Sequence, residues 1–129
     1  MPTASERLCT LIVATIHEHS VWLRVTDADS MQRISSHATD KHGCGLVPCL
    51  TLRVSITRGK YAKGTEWSIP KYLLHQTARQ LAAEDPKFAG RLARMELTRY
   101  DVGHIIRLAS HGIIQPFVFD AWRSSPYHL

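Results

Sequence analysis

Leu50, Leu52, Val54 and Ile56 alternate with Thr51, Arg53, Ser55 and Thr57. This run constrains the fold most, because a strict period of two belongs to a strand with one buried face and cannot lay an apolar stripe along a helix. The chain after it must return. A two-residue turn at Arg58-Gly59 would set Tyr61, Lys63, Thr65 and Trp67 opposite Ile56, Val54, Leu52 and Leu50, with Tyr61 and Trp67 on the aliphatic face. A longer loop reaching Gly64 serves equally, since Gly59 and Gly64 both accept positive φ. Either return predicts a solvent-exposed prong carrying Arg58, Lys60 and Lys63 around Tyr61. The returning strand ends at Ile69-Pro70, where proline can open a helix.

Three short helices should follow. Leu73, Leu74, Thr77, Ala78, Leu81 and Ala82 form an apolar stripe over about residues 70–84, with Lys71, His75 and Arg79 on a separate basic line. Asp85-Pro86 is an N-cap followed by proline in the first turn, so a new helix begins there, with Phe88, Leu92 and Met95 inward. Thr98 and Asp101 have the spacing of a third start signal, ahead of Val102, Ile105, Ile106 and Ala109. Gly112 stands where a left-handed cap would close that helix.

Upstream, Thr3-Ala4-Ser5-Glu6 has the spacing of a capping box, and Leu8, Leu11, Ile12, Thr15, Ile16 and His19 recur at helical intervals. A helix over 4–19 is expected, although the β-branched residues within Leu11–Ile16 would also suit a strand. Residues 21–25 alternate weakly and suit either a short strand or a continuation of the helix. Thr26 to Asp29 repeats the start signal, and Ala28, Met31, Ile34 and Ala38 predict a second helix ending near His37. Residues 113–119 read as a last strand, placed at an edge by Pro116. The fold class expected is α+β: an antiparallel, hairpin-centred small sheet packed against a layer of short helices, in one domain over 1–129.

The loop between Thr39 and Pro48 gathers potential metal ligands. His37, His42, Cys44 and Cys49 could hold zinc, but their spacing matches no tight Cys-x2-Cys knuckle, and a buried apolar thiol is the common state for a cysteine opening a strand. No metal or other cofactor is therefore expected. Three cysteines, an odd number, point to free thiols and a cytoplasmic setting rather than a disulfide framework. No stretch is long enough to span a bilayer, so no membrane association is expected.

Catalytic signals are sparse. There is no Gly-x-Ser-x-Gly, phosphate-binding Gly-x4-Gly-Lys or His-Glu-x2-His, and the acids form no evident pair. His104, Arg107 and His111 share one face of the last helix and could meet a phosphate, a solvated pair of histidines being the plainer reading. The reading is of a binding protein, not an enzyme.

Charge narrows the partner. Sixteen Lys and Arg against eleven Asp and Glu give a formal net charge of +5 and a pI near 9.4, which favours an anion such as nucleic acid. The expected contacts are Arg58, Lys60, Tyr61 and Lys63 on the prong, Lys71 and Arg79 on the basic line, and Arg99, His104 and Arg107 on the last helix. The helices at about 86–94 and 99–111, joined by Glu96-Leu97-Thr98, resemble a helix-turn-helix in length and joint, with Asp101 and Gly103 interrupting the reading face. Trp67-Ser68-Ile69-Pro70 resembles, over four residues, the Trp-x-Ile-Pro end of the wing in excisionase-type winged-helix proteins, which implies a DNA-binding regulatory role. The helix-turn-helix that should precede such a wing is replaced here by the Gly/Cys/His loop.

The alternative is an inhibitor, immunity or adaptor protein of phage or plasmid type. It would dock on an acidic protein or nucleoprotein complex through anchors such as Trp22, Tyr72 or Tyr100. A homodimer would suit the reading of two half-sites.

Overall fold

Hydrogen bonding along the alternating segment organises the computed structural model, which describes residues 2–33 and 46–111. The central strand, β2 (Leu46–Val54), lies between β1 (Leu23–Arg33) and β3 (Glu66–Pro70) in an open, all-antiparallel sheet of order β1-β2-β3. Helices α1 (Ala4–His19), α2 (Lys71–Glu84), α3 (Pro86–Ala93) and α4 (Arg99–His111) complete an α+β fold.

Register assigns the two faces. Leu23 lies opposite Val54 and Val25 opposite Leu52, while Leu52 also faces Trp67 and Leu50 faces Ile69. These side chains share a core with Leu8, Ile12 and Ile16 of α1, Leu74 and Ala78 of α2, Phe88 of α3, and Val102, Ile105 and Ile106 of α4. Arg24, Thr51, Arg53 and Ser68 occupy the opposite parity. There Thr51 Oγ1 meets Ser30 Oγ at 2.8 Å and Ser68 Oγ at 2.7 Å, a hydroxyl ladder across all three strands.

The caps behave as their chemistry dictates. Thr3 Oγ1 accepts from the Glu6 N–H at 3.1 Å, and Asp85 Oδ1 accepts from the Lys87 N–H at 3.0 Å. At α4 the exchange is reciprocal: Thr98 Oγ1 accepts from the Asp101 N–H at 3.1 Å while Asp101 Oδ2 accepts from the Thr98 N–H at 3.0 Å.

One expectation is corrected and one open alternative is decided. The helix expected from Thr26 onward is, through Arg33, part of strand β1. Register shifts between Val25 and Asp27 and between Asp27 and Ser30 break its alternation, so bulges erase the period that would have marked a strand. The Thr26 hydroxyl donates to the Thr51 carbonyl at 3.4 Å and the Asp29 carboxylate pairs with Lys71, so neither half of the start signal caps a helix, while the Asp27 carboxylate accepts from the Asp29 N–H at 2.9 Å in a local turn within a bulge. The hairpin also takes its longer form. Arg58 and Tyr61 exchange both backbone hydrogen bonds around Gly59-Lys60, but a wider loop to Gly64, where φ is +92°, separates this small turn from the sheet. Trp67 consequently pairs with Leu52 rather than Leu50. A slip of two residues preserves its face. Ile56 loses its expected cover and is 49% exposed. Residues 34–45 and 112–129, with His37, His42 and Cys44 of the metal set weighed from the sequence and the expected last strand, lie outside the described residues.

Candidate nucleic-acid interface

The prong does not stand away from the body. Tyr61 stacks between two tryptophans, its ring centroid 6.2 Å from that of Trp22 and 5.9 Å from that of Trp67. Trp67 in turn donates its Nε1–H to Ser110 Oγ of α4 at 2.9 Å. One continuous aromatic column thus ties the hairpin tip to the α1–β1 junction and to the last helix. Arg58 lies over Trp22, with Cζ 5.2 Å from the ring centroid, and Lys60 Nζ lies 5.8 Å from the Tyr61 centroid. Tyr61 is therefore part of a wall rather than a free stacking platform. Burial raises its phenol pKa, and the Arg107 guanidinium opposes that rise, which places α4 electrostatically close by.

Between this wall and α4 lies an open cleft of about 820 Å³. It brings together Arg58, Lys60 and Tyr61 of the tip with Arg99, His104 and Arg107 of α4, six of the residues expected from the sequence. His19, Trp22, Tyr100 and His111 also line it. Among the described residues no Asp or Glu lines the cleft. Val21 and Tyr100, the two most exposed large hydrophobic residues described, at 75% and 73%, both border it. The Arg99 side chain rests on Tyr100, with its Cζ 5.0 Å from the ring centroid and Nη2 donating to Tyr100 Oη at 3.0 Å.

Asp101 does not interrupt this face. It is buried on the far side of α4, where Arg91 donates from Nε at 2.8 Å and from Nη2 at 2.9 Å. That paired guanidinium, together with the Thr98 cap, outweighs burial and holds the Asp101 carboxyl below the ordinary range.

The other expected contacts lie elsewhere. Lys63 borders a separate groove. Lys71 is engaged with Asp29, Nζ to Oδ1 2.7 Å, and Arg79 is exposed on α2. Trp22, singled out from the sequence only as an anchor for a protein partner, anchors the aromatic wall instead, and nothing local connects it to Tyr61, 39 positions on in the chain.

Neither described cysteine is placed to act as a nucleophile. Cys9 and Cys49 are buried free thiols. Burial lifts the Cys9 pKa to about 11 and raises that of Cys49, so thiolate is scarce at neutral pH. A thiol alkylating reagent applied to the folded protein at pH 8 is expected to leave both unmodified, and peptide mapping would read the result. Rapid labelling of Cys9 would contradict its place in the core. Among the described residues no group of three His, Cys, Asp or Glu side chains is arranged to hold a metal, and no helix is long and apolar enough to cross a membrane.

Compared with known proteins, the chain matches no family model, no curated protein and no solved structure.

Proposed function

We propose that this protein acts by binding single-stranded nucleic acid in the cleft between the hairpin tip and α4, without chemistry of its own. The observation that carries the reading is the composition of that cleft: four cations, Arg58, Lys60, Arg99 and Arg107, with exposed aromatic surface between them and no carboxylate among the described lining residues. Guanidinium and ammonium groups meet phosphates, and an exposed ring such as Tyr100 offers a face to an unpaired base.

A single strand fits this arrangement better than a duplex. An α-helix with its side chains is about 10–12 Å across and reads a major groove about 12 Å wide by projecting into it. The cationic side of α4 instead shares a concavity with the Trp22–Tyr61 wall, and the exposed Tyr100 ring beside it can stack only on bases that are not already paired. A wing would also need a free tip, whereas Arg58 and Lys60 lie over the chain's own rings.

Fluorescence anisotropy with a labelled oligothymidine and a matched duplex tests the reading. The single strand is expected to bind more tightly. Four neutralised phosphates predict a slope of log K against log salt of about −3, at about 0.7 per contact. Arg58→Ala and Arg107→Ala should each flatten the slope by about 0.7 and weaken binding severalfold. Absence of binding even at low salt would overturn the proposal and leave the cations to an acidic protein surface.

A further inference from the structure

Arg24 and Arg53 are direct cross-strand partners on the sheet face away from the helices. Like charges placed opposite each other destabilise a ladder, and here neither guanidinium has a carboxylate within 4.0 Å among the described residues. Glu66 faces Arg53 from β3 in register, and Asp27 lies beyond Arg24 on β1, yet neither closes an ion pair with them. Arg24 and Arg53 border, with Lys63, Thr26 and Ser55, a groove of about 520 Å³. Three unpaired cations in one depression suit an extended anion.

The same loop joins this groove to the cleft. Lys60 lines the cleft and Lys63 lines the groove. Three residues of chain span at most about 11 Å, a gap that a few nucleotides of extended strand can cross.

We infer that the groove formed by Arg24, Arg53 and Lys63 is a second phosphate-binding segment, over which a strand leaving the cleft continues around the hairpin loop. This inference rests on the proposed use of the cleft. It makes the footprint longer than the cleft alone and gives the opposed Arg24–Arg53 pair a ligand.

The test compares oligothymidines of about 5 and about 20 nucleotides, the first short enough for one small site. They are titrated into the wild-type chain, the triple variant Arg24→Gln, Arg53→Gln, Lys63→Gln, and the double variant Arg58→Ala, Arg107→Ala. The triple variant is expected to bind the short strand as the wild type does. Its affinity for the long strand should fall about tenfold or more, with the salt slope flatter by about 2. The double variant should lose affinity for both lengths. Wild-type affinity and slope for the long strand in the triple variant would overturn the inference while leaving the cleft reading intact. Failure of the wild-type chain to bind either strand would overturn both. All three altered residues are exposed, and relieving Arg24–Arg53 repulsion should leave the melting temperature unchanged or raise it. A fall in melting temperature would instead show that the opposed pair stabilises the sheet and needs no ligand to account for it, which would also overturn the inference.

Discussion

Trp67→Ala is expected to cost about 3–5 kcal/mol, the range for removing a buried aromatic side chain from a packed core, and to lower the melting temperature by roughly 10–25 °C. Three separate losses combine. The indole is buried among the residues that join β2 to α4, it stacks on Tyr61 with ring planes 17° apart, and its N–H satisfies the buried Ser110 hydroxyl. Trp67→Phe separates these contributions, because it retains an aromatic ring while leaving Ser110 without its donor. An unsatisfied buried hydroxyl costs about 1–3 kcal/mol, so this variant should fall between the wild type and Trp67→Ala. Thermal denaturation followed by circular dichroism measures both. A melting temperature for Trp67→Ala within a few degrees of the wild type would mean that Trp67 is not the link between the hairpin and α4.

Asp101→Ala should destabilise the fold by about 2–3 kcal/mol, since it removes an N-terminal helix cap and two charge-assisted hydrogen bonds at once. Asp101→Asn should cost less, because its amide oxygen can still cap α4 while the charged pairing with Arg91 is lost. The pH dependence follows from the lowered carboxyl pKa. A carboxylate held more acidic in the folded chain than in the unfolded one contributes its full stability above the unfolded value, about 3.9. That stability disappears as pH falls through the lower folded value. The gap in unfolding free energy between wild type and Asp101→Asn should therefore be constant from pH 7 to about pH 5 and narrow below about pH 4. A gap independent of pH down to pH 2 would rule out ionisation of Asp101 as its source.

These two residues lie behind the cleft rather than in it. Trp67 supports the Tyr61 face of the wall, and Asp101 orients the start of α4, so that Arg99, Tyr100, His104 and Arg107 turn outward together. Their variants should weaken single-strand binding only to the extent that they unfold the chain at the assay temperature. Arg58→Ala and Arg107→Ala should do the reverse, weakening binding with little change in melting temperature. This contrast separates residues that build the site from residues that would touch a ligand.

Elements whose signals are local could be read from the chain alone. Helix α1 runs from Ala4 to His19 and α4 from Arg99 to His111 because a cap and an i, i+3, i+4 stripe act within a few residues of one another. The buried face of β2 was legible for the same reason, as alternation needs no knowledge of the partner strand. Strand β1 depended on its long-range pairing, because two bulges shift its side chains out of period while hydrogen bonding to β2 keeps the backbone extended. Long-range packing decided the site as well. Arg58, Lys60, Arg99 and Arg107 could be picked out as cations from the chain, but residues 39 to 49 positions apart are brought to one cleft by the Trp22–Tyr61–Trp67 column, and no local pattern encodes a stack between distant rings. Asp101 shows the same division: its cap was legible from Thr98, whereas its burial against Arg91, which clears the outer face of α4 of negative charge, depends on how α3 packs beside that helix.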